Sequence, residues 1–268
     1  MLTRRAVAFL TCLALTCLPV TMSAQIKSGQ DVVQAASKVY YNLPNEGMVE
    51  FQCSAVPDWQ VILAAELHKE IPPDHPAVKT LQGIHFWLSL DQGGSPKLSH
   101  KLDSPITDPQ SQDGINQTIS GIEQVLGGYS QSVAPFLFTS MLPKPGDKYS
   151  YEARGTGHFL SFKEESGDVA LTLRQDLTIS EAHVVTPEMN VTMHPQFVKS
   201  EKGFLVTEID SEYKLANDTA PSKVAMKIEY ATVQGLRLPS KLTVDTETGG
   251  AVHKMEIAFT DFEVKKKK

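Results

Sequence analysis

Apolar and polar positions follow two rhythms along this chain, and the switches between them predict its elements. Residues 28–43 keep helical spacing, with Val32, Ala36, Val39 and Leu43 on one apolar stripe. Ser28 and Asp31 fit a capping box at the start. The turn residues Pro44, Asn45, Glu46 and Gly47 end the helix. The period then drops to two. Val49, Phe51, Cys53 and Ala55 share one face and Glu50, Gln52 and Ser54 the other, which predicts a half-buried strand. Asp58 caps a short helical run that carries Trp59, Ile62, Leu63 and Leu67 on one side, and Pro72 and Pro73 stop it. Residues 84–90 and 96–102 flank Asp91, Gln92, Gly93 and Gly94, the signal of a hairpin.

Helical spacing returns over residues 112–142, at Ile115, Ile119, Ile122, Leu126, Tyr129, Val133, Phe136 and Leu137. A glycine costs roughly 1 kcal/mol in a helix interior, so Gly127 and Gly128 predict a division into two helices. Residues 135–142 form the most apolar stretch after the leader, suited to a buried core helix or to a movable apolar cover. From Lys148 onward strand follows strand: 149–154, 158–163, 169–174, 177–185, 190–198, 204–213, 223–231, 238–245 and 252–264. Short turns, such as Glu165, Ser166, Gly167 and Asp168, or Thr248, Gly249 and Gly250, make the neighbours antiparallel. In the last strand Met255, Ile257, Phe259 and Phe262 alternate with polar residues. The break between Phe259 and Phe262 predicts a bulge. The expected class is α+β, mainly β.

The first residues belong to none of these elements. Arg4 and Arg5, an apolar run over residues 6–20 and the small pair Ser23 and Ala24 have the order of a secretory signal peptide. Cleavage near Ala24 predicts a periplasmic or secreted protein. The run is about 15 residues, short of the roughly 20 that span a bilayer. Cys12 and Cys17 fall within it, which leaves Cys53 as the single cysteine of the mature chain and excludes an internal disulfide. Its alternation with Phe51 and Ala55 reads as a buried structural thiol. Removing Arg4 and Arg5 lowers the 25 basic residues to 23 against 31 acids, a net charge of −8. Such a surface disfavours nucleic acid. The basic tail, Lys265 to Lys268, reads as a solvated strand end, with peripheral contact to an envelope membrane as the alternative.

Candidate chemistry changes this picture little. The eight histidines include no close zinc-type pair, and no C-x-x-C occurs, so no metal or cofactor is expected. Asp74 and His75 sit among Pro72, Pro73 and Pro76 and read as loop residues. No G-x-S-x-G elbow is present. Ser211 and Lys214 match S-x-x-K, but they lie in strand-like sequence, which does not put both on one helical face. Gly155, Thr156 and Gly157 read as a hairpin turn, and Glu164, Glu165 and Asp168 as a charged one. Sequons occur at Asn116, Asn190 and Asn217. No enzyme is expected.

Two regions resemble the LolA-like periplasmic lipoprotein-carrier superfamily. Asp31, Val32 and Val33 through Tyr40 and Tyr41 into residues 47–51 look like its first helix and strand. Residues 187–209, 228–230, 235–241 and 259–264 look like its inner and closing strands. The resemblance implies a curved antiparallel sheet, an incomplete β-barrel, with an N-terminal helix and a helical insertion as a lid. It implies one domain over residues 25–268, with the insertion at about 57–147, longer than in the small carriers. The family's lid-locking arginine has no counterpart that can be placed, Arg154 and Arg174 being the available strand arginines. Implied partners are a lipid or an acylated protein, held non-covalently in an apolar concavity. The candidate lining is Phe136, Leu137 and Met141. The alternative is a structural or adaptor protein of the cell envelope with a filled core. Oligomeric state is not read from these patterns.

Overall fold

Twelve antiparallel strands build one curved sheet that does not close into a barrel. The computed structural model describes residues 28–106, 108–165, 167–216 and 220–267. The predicted leader, Asn217 and Lys268 lie outside them. The elements run α1 (Gly29–Ala36), β1 (Met48–Pro57), α2 (Trp59–Leu67), α3 (Pro76–Gln82), β2 (Ile84–Asp91), β3 (Pro96–Leu102) and α4 (Pro109–Leu137). The meander follows: β4 (Tyr149–Arg154), β5 (Gly157–Glu164), β6 (Gly167–Leu173), β7 (Ile179–Val185), β8 (Met189–Ser200), β9 (Gly203–Leu215), β10 (Ser222–Val233), β11 (Leu236–Thr248) and β12 (Ala251–Lys266). The sheet order is β3-β2-β1-β12-β11-β10-β9-β8-β7-β6-β5-β4. The first and last strands therefore meet inside the sheet, and β3 and β4 are its two edges.

The N-terminal helix is shorter than its stripe predicts. Ser28 caps it as expected, its Oγ accepting from Asp31 N at 3.2 Å. The helix ends at Ala36 because the next residues join the sheet. Phe204 N donates to Val39 O at 2.8 Å and Tyr41 N to Phe204 O at 2.9 Å. Gly203 permits this contact: its φ is +128°, and a Cβ there would lie 2.7 Å from backbone atoms of Tyr40 and Tyr41. On β1 a register shift between Met48 and Glu50 puts Met48 in the core and leaves Val49 exposed, contrary to the simple alternation. The bulge near the end of β12 is present. Gln52 pairs with Glu263 and Ser54 with Thr260, so β12 carries one extra residue there, and Asp261 takes a left-handed φ of +51°.

The glycine pair does not divide the long helix. α4 is continuous through Gly127 and Gly128. Tertiary burial of one face outweighs the local penalty. At 1.5 Å per residue its 29 residues span about 44 Å, close to a 13-residue strand such as β11 at roughly 3.4 Å per residue. α4 therefore matches the sheet in length. It starts after β3, and its end lies against the β2–β3 turn, where a Cβ on Gly94 would lie 2.8 Å from Ala134 Cβ. The helix stops at Leu137 rather than at 142. Ala134 O takes the main-chain N–H groups of both Phe138 and Thr139 just past Pro135. α3 was hidden among prolines: Pro76 occupies its first turn, and His75 Nδ1 caps it by accepting from Ala77 N at 3.3 Å. Among the described residues no helix is long and apolar enough to cross a membrane.

Candidate functional site

The candidate site is the interface between α4 and the inner face of the sheet. The α4 stripe is the one the spacing predicts. Ile115, Ile119, Ile122, Leu126, Tyr129 and Val133 are all buried, and Leu126 and Val133 have no exposed surface. Facing them, Phe51, Cys53 and Ala55 come from β1, Phe86, Leu88 and Leu90 from β2, and Ile257 and Phe259 from β12. The ring of Tyr129 stacks on Phe259 at 5.6 Å between centroids, and Phe138 stacks on Phe51 at 6.3 Å.

The three candidate lining residues fall in unequal places. Phe136 is buried in an aromatic cluster, 6.4 Å from Tyr40 and 5.5 Å edge-on to Phe197. Leu137 is fully buried, and its carbonyl accepts from Leu43 N at 2.9 Å. Met141 lies beyond the helix, half-buried against the same core. Four clefts of the described surface, about 370 to 700 Å³ in volume, are lined by none of the three. Tyr40, which the sequence offers only as part of the family resemblance and not as a site residue, ties three elements together. Its hydroxyl accepts from Ile179 N at 2.8 Å while its ring packs on Phe197 and Phe136. The signal was available, since Tyr40 directly follows Val39 of the stripe.

Polar groups in this interface are few. Ser130 Oγ donates to Leu126 O at 2.7 Å, one helical turn back. Tyr230 Oη donates to Val206 O at 2.6 Å. Tyr129 Oη has no hydrogen-bond partner and no exposure. Burial holds its ionisation well above the usual phenol range. Burial also pushes the Cys53 thiol up to about 12, so it stays protonated and unreactive, with Sγ 3.7 Å from Leu88 O.

The remaining candidates are scattered. Arg174 donates to Ile179 O at 2.8 Å and lies 3.4 Å from Pro195 O, holding two strands together. Arg154 pairs with Glu152 at 2.8 Å and lies 3.8 Å over the ring of Phe159. Asp168 pairs with Lys163 at 3.2 Å across the charged turn. Ser211 and Lys214 both lie on β9, three residues apart and so on opposite faces. His85, His100 and His253 each take a single acid, Asp103, Glu123 and Glu66, at 2.6 to 2.9 Å. Among the described residues no three histidine, cysteine or acidic side chains gather as a metal site. Lys265 pairs with Glu50 at 2.6 Å, and Lys266 Nζ donates to Gln234 O at 2.7 Å, so part of the basic tail is engaged with the sheet.

No family model and no curated protein matches the chain. Among solved structures, a crystal structure of MucB in complex with MucA(peri) aligns at 9% identity over 88% of this chain and 100% of that one. Its TM-score is 0.15, and at that level the alignment carries no argument about this protein.

Proposed function

We propose that this is a non-enzymatic binding or adaptor protein of the cell envelope, exported by its leader, whose concave face holds its own α4 rather than an acyl chain. The observation that carries this reading is the buried stripe of α4 from Ile115 to Leu137, packed on the inner face of the sheet. A filled concavity leaves the outer surface, its clefts and the two sheet edges for partners. The isolated histidine–acid pairs and the scattered serine, lysine and arginine candidates supply no shared reacting centre. Mass spectrometry of the native chain, purified without detergent, tests this. A mass equal to the protein alone is expected. A discrete added mass that yields a fatty acid or lipid on denaturation overturns it.

A second reading is supported by two features of α4. Gly114, Gly121, Gly127 and Gly128 have nothing within 4 Å of where a Cβ would stand, so packing does not demand them. The hydroxyl of Tyr129 is buried without a partner. A helix of low intrinsic stability with an unmatched polar atom on its inner face suits an element that yields to a lipid or acylated protein. In that reading Phe136 and Leu137, with Met141 beside them, line the space that opens.

A further inference from the structure

The ladder between β1 and β2 stops before its strands do. Their last pair is Ala55 with Phe86, yet β1 continues through Val56 and Pro57 beside β12, and β2 begins at Ile84 beside β3. The two strands part, and α2 and α3 meet over the gap. A cleft of about 640 Å³ results, a size typical of small-molecule sites. Trp59 and Trp87, the two tryptophans of the chain, both line it.

The groups in its wall divide into those already satisfied and those left open. The charges are mostly matched. Glu256 pairs with Lys241 at 2.6 Å and with Lys254 at 3.4 Å, and Asp58 caps α2 by accepting from Gln60 N and Val61 N. The open groups are largely neutral. Trp59 is 4% exposed, and its indole N–H meets no acceptor among the described residues. That N–H is still within reach of solvent, since Tyr129 Oη is the polar side-chain atom that is both buried and unpaired among the described residues. The indole of Trp87 and the amide of Gln82 likewise make no hydrogen bond there. The carboxylate of Asp261 meets only the neighbouring Thr260 hydroxyl, at 2.9 Å. Asp261 is also the left-handed residue of the β12 bulge, a strained backbone that brings its side chain to the cleft wall.

From this geometry we infer that the cleft is a saccharide-binding site. A pyranose ring has an apolar C–H face and a rim of hydroxyls that both donate and accept. The cleft offers aromatic and aliphatic surface from Trp87, Trp59 and Val56. It offers open donors in the two indoles and Gln82, and an open acceptor in Asp261. With Glu256 and Asp58 engaged, the wall favours a neutral, hydroxyl-rich ligand over an ion. The inference is independent of what fills the concave face.

Both tryptophans line this cleft, so intrinsic emission reports on it. The test titrates the protein with trisaccharides of glucose, galactose and N-acetylglucosamine up to about 10 mM, which covers millimolar Kd values. A saturable change in emission with at least one is expected, weakened about tenfold or lost in Asp261→Gly and in Trp87→Ala. Glycine accepts the left-handed φ, so Asp261→Gly removes the carboxylate while the melting temperature is maintained. Silence toward all three sugars overturns the inference. So does a response to dodecanoate alone, which marks an apolar site, or a sugar response that survives both substitutions.

Discussion

The concave face and the cleft between β1 and β2 are opposite in construction. The concave face is broad and apolar, and its groups are nearly all matched from within. Phe136 meets Tyr40 and Phe197, and Tyr129 meets Phe259. The cleft is small and mixed, and several of its groups have nothing to meet. Apolar surface alone identifies a core as readily as a binding site, because the same burial stabilises both. Hydrogen-bonding groups left open where solvent reaches them discriminate better, since a ligand can still meet them, whereas a core pairs its own. The concave face has one unpaired group, Tyr129 Oη, shut away from solvent, while the cleft presents four that solvent reaches: the two indoles, the exposed Gln82 and the exposed Asp261.

The largest test of this contrast is Phe136→Asp. An unpaired carboxylate placed among Tyr40, Phe197 and Leu137 is expected to remove on the order of 5 kcal/mol, comparable to the whole stability of many domains. Loss of near-ultraviolet dichroism and of the cooperative urea transition is the readout. A folded Phe136→Asp protein that no longer takes up lipid would instead make the concave face a ligand cavity. Tyr129→Phe comes next. Deleting the partnerless hydroxyl is expected to raise stability by ~1 kcal/mol, seen as a higher urea midpoint. A loss of stability would mean that the hydroxyl has a partner in solution. Gly127→Ala and Gly128→Ala are expected to raise stability by about 0.8 to 1 kcal/mol each. If α4 yields to a lipid, the same stiffening also slows lipid uptake. If it is permanent core, only the melting temperature changes.

The sequence foretold the sheet better than what lies on it. Period-two alternation and turn residues located each strand of the meander, and the skipped alternation after Phe259 located the bulge. These are local signals: the pleat and the turn act on neighbouring residues. The errors came where distant parts of the chain intervene. The stripe through Val39 and Leu43 promised more helix, but Phe204, far along the chain, captures Val39 and Tyr41 into backbone hydrogen bonds. Gly127 and Gly128 promised a break that burial of Leu126, Tyr129 and Val133 prevents. Periodicity marked Phe136 and Leu137 as apolar and inward, but it cannot say whether the space beyond is filled. The cleft was illegible for a further reason. Trp59, Trp87 and Asp261 line one cleft only because the first strand and the last are neighbours in the sheet, a pairing no local pattern reports.

The smallest expected effect tests whether the charges of the cleft wall are spoken for. The Glu256 carboxylate is held below its ordinary range, chiefly by its hydrogen bond from Lys241 and with help from Lys254. The same contact holds Lys241 above its own. A depressed acid contributes stability that is present above its unfolded pKa, near 4.5, and lost as the pH falls through the lower folded value. A raised lysine contributes stability that is present below its unfolded pKa, near 10.5, and lost as the pH rises through the higher folded value. Glu256→Gln is therefore expected to flatten the stability profile at its acid end, and to remove part of the alkaline loss by leaving Lys241 without its partner. Urea midpoints measured from pH 3 to pH 11 read both ends. Parallel profiles for the wild type and Glu256→Gln would mean that the pair does not form in solution. Glu256 and Lys241 would then stand as open charges in the cleft, and an ionic ligand would fit its wall better than a sugar.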